Sequence, residues 1–549
     1  MTGALARRAA IGIVASLLVA CGAGGGAPPD GQGGQRASGG TTGTGGGVTG
    51  GTTGAGGRGI GGTAGTAATG GAAGARATGG TDGTAGAAGG GASGKGGATA
   101  SGGAGGAAGR PGTGGAAGHA GAPGGAIAVF PPPNGTDVCP DPPLRITFSG
   151  PPAIGASGKI QVFNAGGALA ASVDVAAATT TTVNGGMSFK TERPVYVDGN
   201  SAVIYLPSKP LAYGQTYSVT VDAGAIKPPG GGTFAVTGST AWRFTTAAAA
   251  PADKSALAVA LDGSAPFCSL QGALDLVPSN NTAAVTISVA SGTYHEIVYF
   301  KSKSNVTIRG ASRDGTIFEG VNNDNLNPGT KARALIGGDG ASGLTITTLT
   351  IRNQTPQGGS QAEALRLESC DKCVVIDATI ISLQDTLLWS GRLYAKNCLI
   401  EGNVDYVWGT GAVYFDRCEL RTIGRTGVIV QARNPASSYG YVFVDSKITS
   451  DAGLTGIALA RIDDTAYPAS HVAYVNCELS SGIAPSGWTI TGGGSTSMLR
   501  FWEYQSVDTG GQPVNVGQRA AGSKQLSASA AAMMRDPSVV LAGWTPPAN

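Results

Sequence analysis

Histidine is scarce in these 549 residues: there are three, His119, His295 and His471. A serine or cysteine nucleophile activated by imidazole needs one nearby, and none of the three stands beside an obvious nucleophile. The same scarcity argues against zinc. Cys370-Asp371-Lys372-Cys373 has a redox or metal spacing, but no second close cysteine pair accompanies it. Charge is also sparse, with 13% Asp, Glu, Lys and Arg and a net charge of +3. That balance gives no basis for a nucleic-acid partner. The apolar stretch from Ala9 to Ala20, interrupted by Gly12 and Ser16, is too short to span a bilayer as a helix.

Glycine is abundant instead, at 96 residues, with most of the excess before residue 126. Residues 1–21 read as a secretion signal with a basic start at Arg7-Arg8. Its end, Leu18-Val19-Ala20-Cys21, resembles a bacterial lipoprotein box. The resemblance implies lipidation of Cys21 and an exported, membrane-anchored lipoprotein at the cell surface or in the periplasm. Residues 22–127 are Gly, Ala, Thr and Ser with almost no large apolar residue. Such a segment cannot bury a core and is expected to be a disordered tether. Flexible-chain scaling gives it a span of about 55–60 Å.

Residues 128–247 change to short β runs separated by Gly/Pro clusters. Examples are Leu144–Phe148, Lys159–Phe163, Ala202–Leu206, Tyr217–Val221 and Trp242–Thr246, which predict a β-sandwich. Phe130-Pro131-Pro132-Pro133-Asn134 at the opening and Trp242-Arg243-Phe244-Thr245-Thr246 at the close resemble bacterial Ig-like domains. No polar chemistry clusters here, so a spacer is expected. A short linker, 248–254, follows. Residues 256–545 are strand after strand, with one candidate helical turn at Leu270–Leu276. Alternating pairs include Val306 and Ile308, Leu344 and Ile346, and Leu349 and Ile351.

These strands repeat. Aligning on Leu349, Ala378, Cys398, Cys418, Ser446 and Cys477 gives steps of 29, 20, 20, 28 and 31 residues. A period of 20–31 residues fits a parallel β-helix better than a β-propeller, whose blades repeat at ~40 residues or more. The expected fold is therefore all-β: a right-handed parallel β-helix catalytic domain preceded by an Ig-like β-sandwich. Asp385 lies seven residues after Ala378, and Asp405 seven after Cys398. Equal phase stacks them on neighbouring coils, ~4.8 Å apart. Two carboxyls at that distance split their proton affinities, one serving as base or nucleophile and the other as acid. Cys398 and Cys418 share a phase too, and stacked Cα atoms fall within disulfide range, so that bridge is expected. Seven cysteines remain after Cys21, an odd number, so not all pair within the chain.

The motifs of this region, taken in order, resemble the pectinesterase (pectin methylesterase) family. Gly292-Thr293-Tyr294-His295-Glu296 is similar to an early Gly-x-Tyr-x-Glu, and Gln361-Ala362-Glu363-Ala364-Leu365 to Gln-Ala-Val-Ala-Leu. Gln384-Asp385-Thr386-Leu387 matches Gln-Asp-Thr-Leu, and Asp405-Tyr406-Val407-Trp408-Gly409 resembles Asp-Phe-Ile-Phe-Gly. Gln431-Ala432-Arg433 and Pro485-Ser486-Gly487-Trp488 fit later coils. The resemblance implies hydrolysis of galacturonate methyl esters in pectin, a methylated polygalacturonate, by a monomer without a metal or organic cofactor. It makes Asp405 the nucleophile, Asp385 the general acid and then base, Gln361 and Gln384 the stabilisers of the oxyanion, and Arg461 the residue orienting the nucleophile. Tyr406, Trp408, Tyr441 and Trp389 lie near the motifs and are candidates for stacking on sugar rings.

One stretch departs from the family. Its late arginine is usually followed by Pro-Trp, whereas Arg461 is followed by Ile462-Asp463-Asp464. A sugar-stacking surface is lost and two acids appear, expected to disfavour de-esterified, anionic stretches. Three other readings stay open: a β-helix lyase or polygalacturonase, a surface-tethered pectin-binding protein with a degenerate esterase site, and an esterase acting on a non-pectin ester.

Overall fold

The computed structural model describes residues 125–207 and 211–547. The signal at 1–21, lipidation at Cys21 and nearly all of the tether at 22–127 lie outside the described residues.

The N-terminal part is a β-sandwich. One sheet pairs Ala128–Phe130, Leu144–Thr147, Ser201–Ile204 and Val195–Asp198 in that order. The facing sheet runs Gly135–Val138, Arg243–Thr246, Thr216–Val221, Lys159–Asn164 and Leu169–Asp174. Alternation sends Leu144, Ile146, Ile160, Val162, Val219 and Phe244 inward, each fully buried. Trp242 closes this core and donates its indole N–H to Pro131 O at 2.8 Å. A separate hairpin, Thr179–Asn184 with Met187–Glu192, projects from the sandwich.

The rest is a parallel β-helix, its strands forming a 17-stranded and a 9-stranded array with parallel neighbours throughout. A helix caps the N-terminal end at Leu270–Leu276, its first turn closed by the Ser269 side chain. The repeat read from the sequence is the coil register. Ile351, Ile380, Ile400, Leu420, Ile448 and Leu479 pair in sequence along the smaller array. All six are buried, at about 1.5–3 kcal/mol of apolar transfer each. A second internal stack is aromatic, with Phe415–Phe443 at 4.5 Å and Phe443–Tyr474 at 4.8 Å between ring centroids.

The corner before each of those ladder strands is made by one residue in the left-handed region. Thr348, Asp377, Asn397, Arg417, Asp445, Asn476 and Gln505 all have φ between 47° and 61°. Asp and Asn tolerate this conformation better than most residues, and four of the seven positions carry them.

The expected Cys398–Cys418 bridge is not formed; both thiols are buried and free, as is Cys477. Stacking on successive coils brings the Cα atoms close, but an in-register parallel ladder also makes the Cα–Cβ bonds run side by side. A disulfide needs them to converge. The thiols turn to carbonyls instead: Cys398 Sγ lies 3.4 Å from Val375 O, and Cys418 Sγ lies 3.6 Å from Asp416 O. The disulfides that do form are Cys370–Cys373 and Cys139–Cys268. The second ties the sandwich to the β-helix across 129 residues of sequence.

Candidate active site

Three carboxyls climb one edge of the β-helix in a single phase. Leu365 pairs with Leu387, and Leu387 with Val407. Glu363, Asp385 and Asp405 each stand two residues before those positions, on three consecutive coils. The backbone confirms the stack: Ala364 N donates to Thr386 O at 2.9 Å, and Asp385 N to Val404 O at 3.0 Å. Asp385 and Asp405 both take left-handed backbone, with φ of 65° and 47°. This lifts each side chain out of the regular inward and outward alternation of a strand.

An arginine holds each end of the ladder. Arg461, two coils beyond Asp405, donates from Nε to Asp405 Oδ1 at 2.8 Å, and its terminal nitrogen bonds Oδ2. This two-pronged geometry matches a carboxylate. At the other end Arg333 Nε lies 3.0 and 2.9 Å from the two oxygens of Glu363, and one terminal nitrogen reaches Glu363 Oε1 at 2.8 Å. That same nitrogen donates to Asp385 Oδ2 at 3.0 Å. Asp385 is the middle rung, and it shares its arginine with a buried neighbour.

The consequence is electrostatic. Burial pushes the Asp385 carboxyl up to about 8, with Glu363 and Asp405 adding to the rise and Arg333 and Arg433 opposing it. Asp385 therefore carries a proton at neutral pH and can donate it. Burial also raises Glu363, against the pull of Arg333.

Gln384 precedes Asp385, and its carbonyl accepts from Ala362 N at 3.2 Å, so the backbones at Gln361 and Gln384 stack one coil apart. Ser360 Oγ donates to Gln361 Oε1 at 2.8 Å, and an amide whose oxygen is occupied offers its NH₂ as donor. Both glutamines are half-buried.

The four aromatic candidates separate. Tyr406, Tyr441 and Trp389 are fully buried and belong to the core, not to a sugar-stacking surface. Trp389 and Tyr441 point inward because strand alternation there faces the coil interior; Tyr406 follows the left-handed Asp405, where the ladder register shifts, and its ring turns into the core together with Val407. Trp389 stacks on Phe415 at 5.7 Å. The Tyr441 hydroxyl lies 2.7 Å from the carbonyls of both Trp389 and Trp408 and shares its one proton between them. It fits because residue 409 is glycine: a Cβ there would lie 2.7 Å from that hydroxyl and 2.2 Å from Trp389 O. Trp408 is different. It retains 8% exposure, and Arg433 and Arg333 lie 4.9 and 5.7 Å from its ring centroid.

The pectinesterase family model matches residues 256–535, and that of the bacterial Ig-like domain residues 122–246. This chain belongs to the pectinesterase family. Pectinesterase 31 of Arabidopsis thaliana is 29% identical over 265 residues, 46% of this chain and 82% of that protein. Probable pectinesterase 56 of the same plant is 31% identical over 248 residues, covering 43% and 85%. The solved pectin methylesterase from carrot aligns with a TM-score of 0.48 at 24% identity, covering 52% of this chain and 93% of that one.

Against the pectinesterase pattern, sequence reasoning missed the Arg333–Glu363 pair. Its signal was present in Gln361-Ala362-Glu363-Ala364-Leu365, where an acid stands in place of the motif's valine. Arg333 had no comparable signal, because residues 321–335 form a loop outside the repeat. The stretch after Arg461 also reads differently in three dimensions. Asp463 Oδ1 accepts from Thr465 N and Ala466 N, and Asp464 Oδ1 from Gly494 N at 2.7 Å. Both acids are turn formers. The turn they build carries Tyr467, whose ring lies 5.5 Å from the Arg433 guanidinium. Arg433 is thus layered between Trp408 and Tyr467.

Proposed function

We propose that this pectinesterase hydrolyses the methyl esters of galacturonate units in pectin, with Asp405 as nucleophile and Asp385 as general acid and then base. The observation that carries the assignment is the unequal treatment of stacked neighbours. Asp405 has both oxygens on Arg461, while Asp385 is buried between two other carboxyls and holds its proton.

In this reading an Asp405 oxygen attacks the ester carbonyl carbon, and the carbonyl π pair moves to oxygen. Amide donors of Gln361 and Gln384 stabilise that oxyanion. As the carbonyl re-forms, the bond to methoxide breaks and Asp385 gives it a proton, releasing methanol and leaving an acyl anhydride on Asp405. Asp385, now ionised, takes a proton from water. The hydroxide adds to the acyl carbon, and Asp405 leaves as carboxylate. Ester and water become galacturonate and methanol; Asp385 has its proton back from the attacking water, and the proton of the newly formed galacturonic acid goes to solvent. Trp408, with the Arg433 and Arg333 guanidinium groups over its ring, lines the site beside the sugar.

The test is methanol release from highly methylated pectin by the full chain and by Asp405→Asn. Methanol without new reducing ends or unsaturated products is expected from the first and none from the second. Release by Asp405→Asn at the wild-type rate would refute the assignment.

We further propose that Cys21 is lipidated and that the enzyme is an exported, monomeric lipoprotein at the cell surface or in the periplasm. The Leu18-Val19-Ala20-Cys21 ending and the glycine-rich tether support this. Cys21→Ser is expected to move the protein from the membrane to the soluble fraction; an unchanged distribution would refute it.

A further inference from the structure

The sandwich and the β-helix meet at more than the linker and the Cys139–Cys268 bridge. The Thr179–Asn184/Met187–Glu192 hairpin leaves the sandwich and lies on the β-helix. Phe189, 1% exposed, joins the β-helix core, with its ring 5.9 Å from that of Tyr299. The Asn184 side-chain amide donates to Ile297 O. At the far end Lys190 exchanges a reciprocal pair with Asn327: Lys190 N to Asn327 Oδ1 at 2.7 Å, and Asn327 Nδ2 to Lys190 O at 2.8 Å.

Asn327 passes this contact on. Its Nδ2 also donates to Asn322 Oδ1 at 2.8 Å. The Asn322 amide then donates to Ala332 O at 2.8 Å and Ala334 O at 2.7 Å, the two carbonyls flanking Arg333. Arg333 in turn reaches Glu363 and Asp385. Asn322 and Asn327 are buried, and each amide uses both its oxygen and its NH₂ group. A buried amide network of this kind fixes one geometry, because losing any member strands polar groups away from water. The loop at 321–335 has no ladder of its own; Asp324 N on Gln361 O at 3.0 Å and Leu335 N on Glu363 O at 2.9 Å tie its two ends to the β-helix, Arg333 also pairs with Asp324 at 3.3 Å, and the asparagine chain adds the hold on the two carbonyls flanking Arg333.

We propose that the Ig-like domain is part of the catalytic unit: its Thr179–Glu192 hairpin, through Asn327 and Asn322, positions Arg333 on Asp385. This rests on the assignment of Asp385 as the acid and adds a positioning role for residues outside the family's domain. Arg333 hydrogen-bonds the acid itself at 3.0 Å and reaches the Trp408 ring only at 5.7 Å, so its displacement lowers kcat more than it changes KM. It also removes a positive charge from beside Asp385, which otherwise faces Glu363, Asp405, Arg433 and Arg461. The alkaline limb of the rate profile then moves upward.

The experiment uses the full chain. One variant replaces Thr181–Lys190 with Asn-Gly, joining Thr180 to Thr191; a second is Asn327→Asp, which keeps the acceptor and loses both donors; the reference is Arg333→Met. Methanol release is measured against pectin concentration and pH, with thermal melts as the check on folding. The expected result is a kcat lowered roughly tenfold to a hundredfold, as displacement of a catalytic contact by about 1 Å can cause, with KM within about twofold and the alkaline limb shifted as in Arg333→Met. Hairpin shortening in the Arg333→Met background is expected to add no further loss. Wild-type kcat and an unmoved limb in the folded variants, or losses that multiply with Arg333→Met, would overturn the proposal. If the shortened hairpin does not fold, Asn327→Asp decides by the same criteria. A wild-type chain that releases no methanol fails the functional assignment itself, and this proposal with it.

Discussion

Asp385 and Asp405 occupy the same register position on consecutive coils, and both hold left-handed backbone, at φ 65° and 47°. The conformation costs an ordinary L-residue roughly 1–2 kcal/mol, and Asp and Asn visit it most readily after glycine. Each aspartate therefore does two things: it turns the backbone and it presents an acid. This decides which substitution tests the chemistry.

Asp405→Asn keeps the turn and removes the nucleophile, so methanol release is expected to fall by about 10⁴-fold or more, with the melting temperature lowered only by the loss of one of the two charged hydrogen bonds to Arg461. Asp405→Ala adds the strain of alanine in that backbone and is expected to melt lower than Asp405→Asn. Thermal melts of the two beside a methanol assay check both statements.

The proton on Asp385 makes activity and stability depend on pH. With its carboxyl at about 8, the proton donor disappears above that pH, so kcat/KM is expected to fall along an alkaline limb near pH 8. The sign for stability follows from linkage. The folded value lies above the 3.8 of the free side chain, so the folded state binds the proton more tightly. That contribution is complete below about pH 4 and is lost as the pH rises through about 8. Asp385→Asn stays neutral, and its melting temperature is expected to gain on wild type from about pH 4 up to about pH 8 and to keep that margin above it. A constant difference from pH 5 to 9 would contradict the assignment.

Arg461→Lys preserves charge but not the two-pronged donor set. A single ammonium cannot bond Oδ1 and Oδ2 with the same alignment, and charged hydrogen bonds are worth about 1.5–3 kcal/mol. kcat is expected to drop tenfold to a hundredfold with KM nearly unchanged, and steady-state methanol release reads this directly.

How much of this was legible in the sequence follows from where each contact comes. The coil register was readable from Leu349 to Cys477 because a solenoid repeats its local pattern and neighbours are set by the period. That register also placed Asp385 against Asp405. The same logic failed for Cys398 and Cys418, since proximity of Cα atoms says nothing about the direction of Cβ. It failed for Tyr406, Tyr441 and Trp389, because closeness to a motif does not reveal which face of the strand a ring occupies. Arg333 was out of reach: it arrives from a loop outside the repeat, held by an asparagine network anchored in another domain.

The aromatic residues offer a direct check on that distinction. Trp408, whose ring carries Arg433 and Arg333, is expected to raise KM several-fold when changed to Ala, through loss of a cation–π contact worth about 1 kcal/mol that holds Arg433 at the site. Tyr441→Phe touches no sugar in this arrangement. It removes the hydroxyl shared by the carbonyls of Trp389 and Trp408 and is expected to cost about 1–3 kcal/mol of stability with KM unchanged. Denaturant melts and pectin titration separate the two effects.

Cysteine chemistry distinguishes the observed pairing from the one the repeat suggests. Cys398, Cys418 and Cys477 are free and buried, whereas Cys139 is joined to Cys268 and Cys370 to Cys373. Alkylation in denaturant without reductant is expected to label Cys398, Cys418 and Cys477 and to spare the other four; in the folded protein the three are expected to react slowly, since burial keeps each thiol from the reagent. A peptide map linking Cys398 to Cys418 would show that the ladder can twist its Cβ bonds together after all. Opening the Cys139–Cys268 bridge by Cys139→Ala and Cys268→Ala frees a loop of 129 residues and is expected to cost about 2–5 kcal/mol. Because that bridge sits where the sandwich meets the β-helix, the same pair of changes is expected to slow methanol release in the direction of the hairpin variants. Loss of the Cys370–Cys373 bridge, confined to one coil, is expected to leave the rate alone.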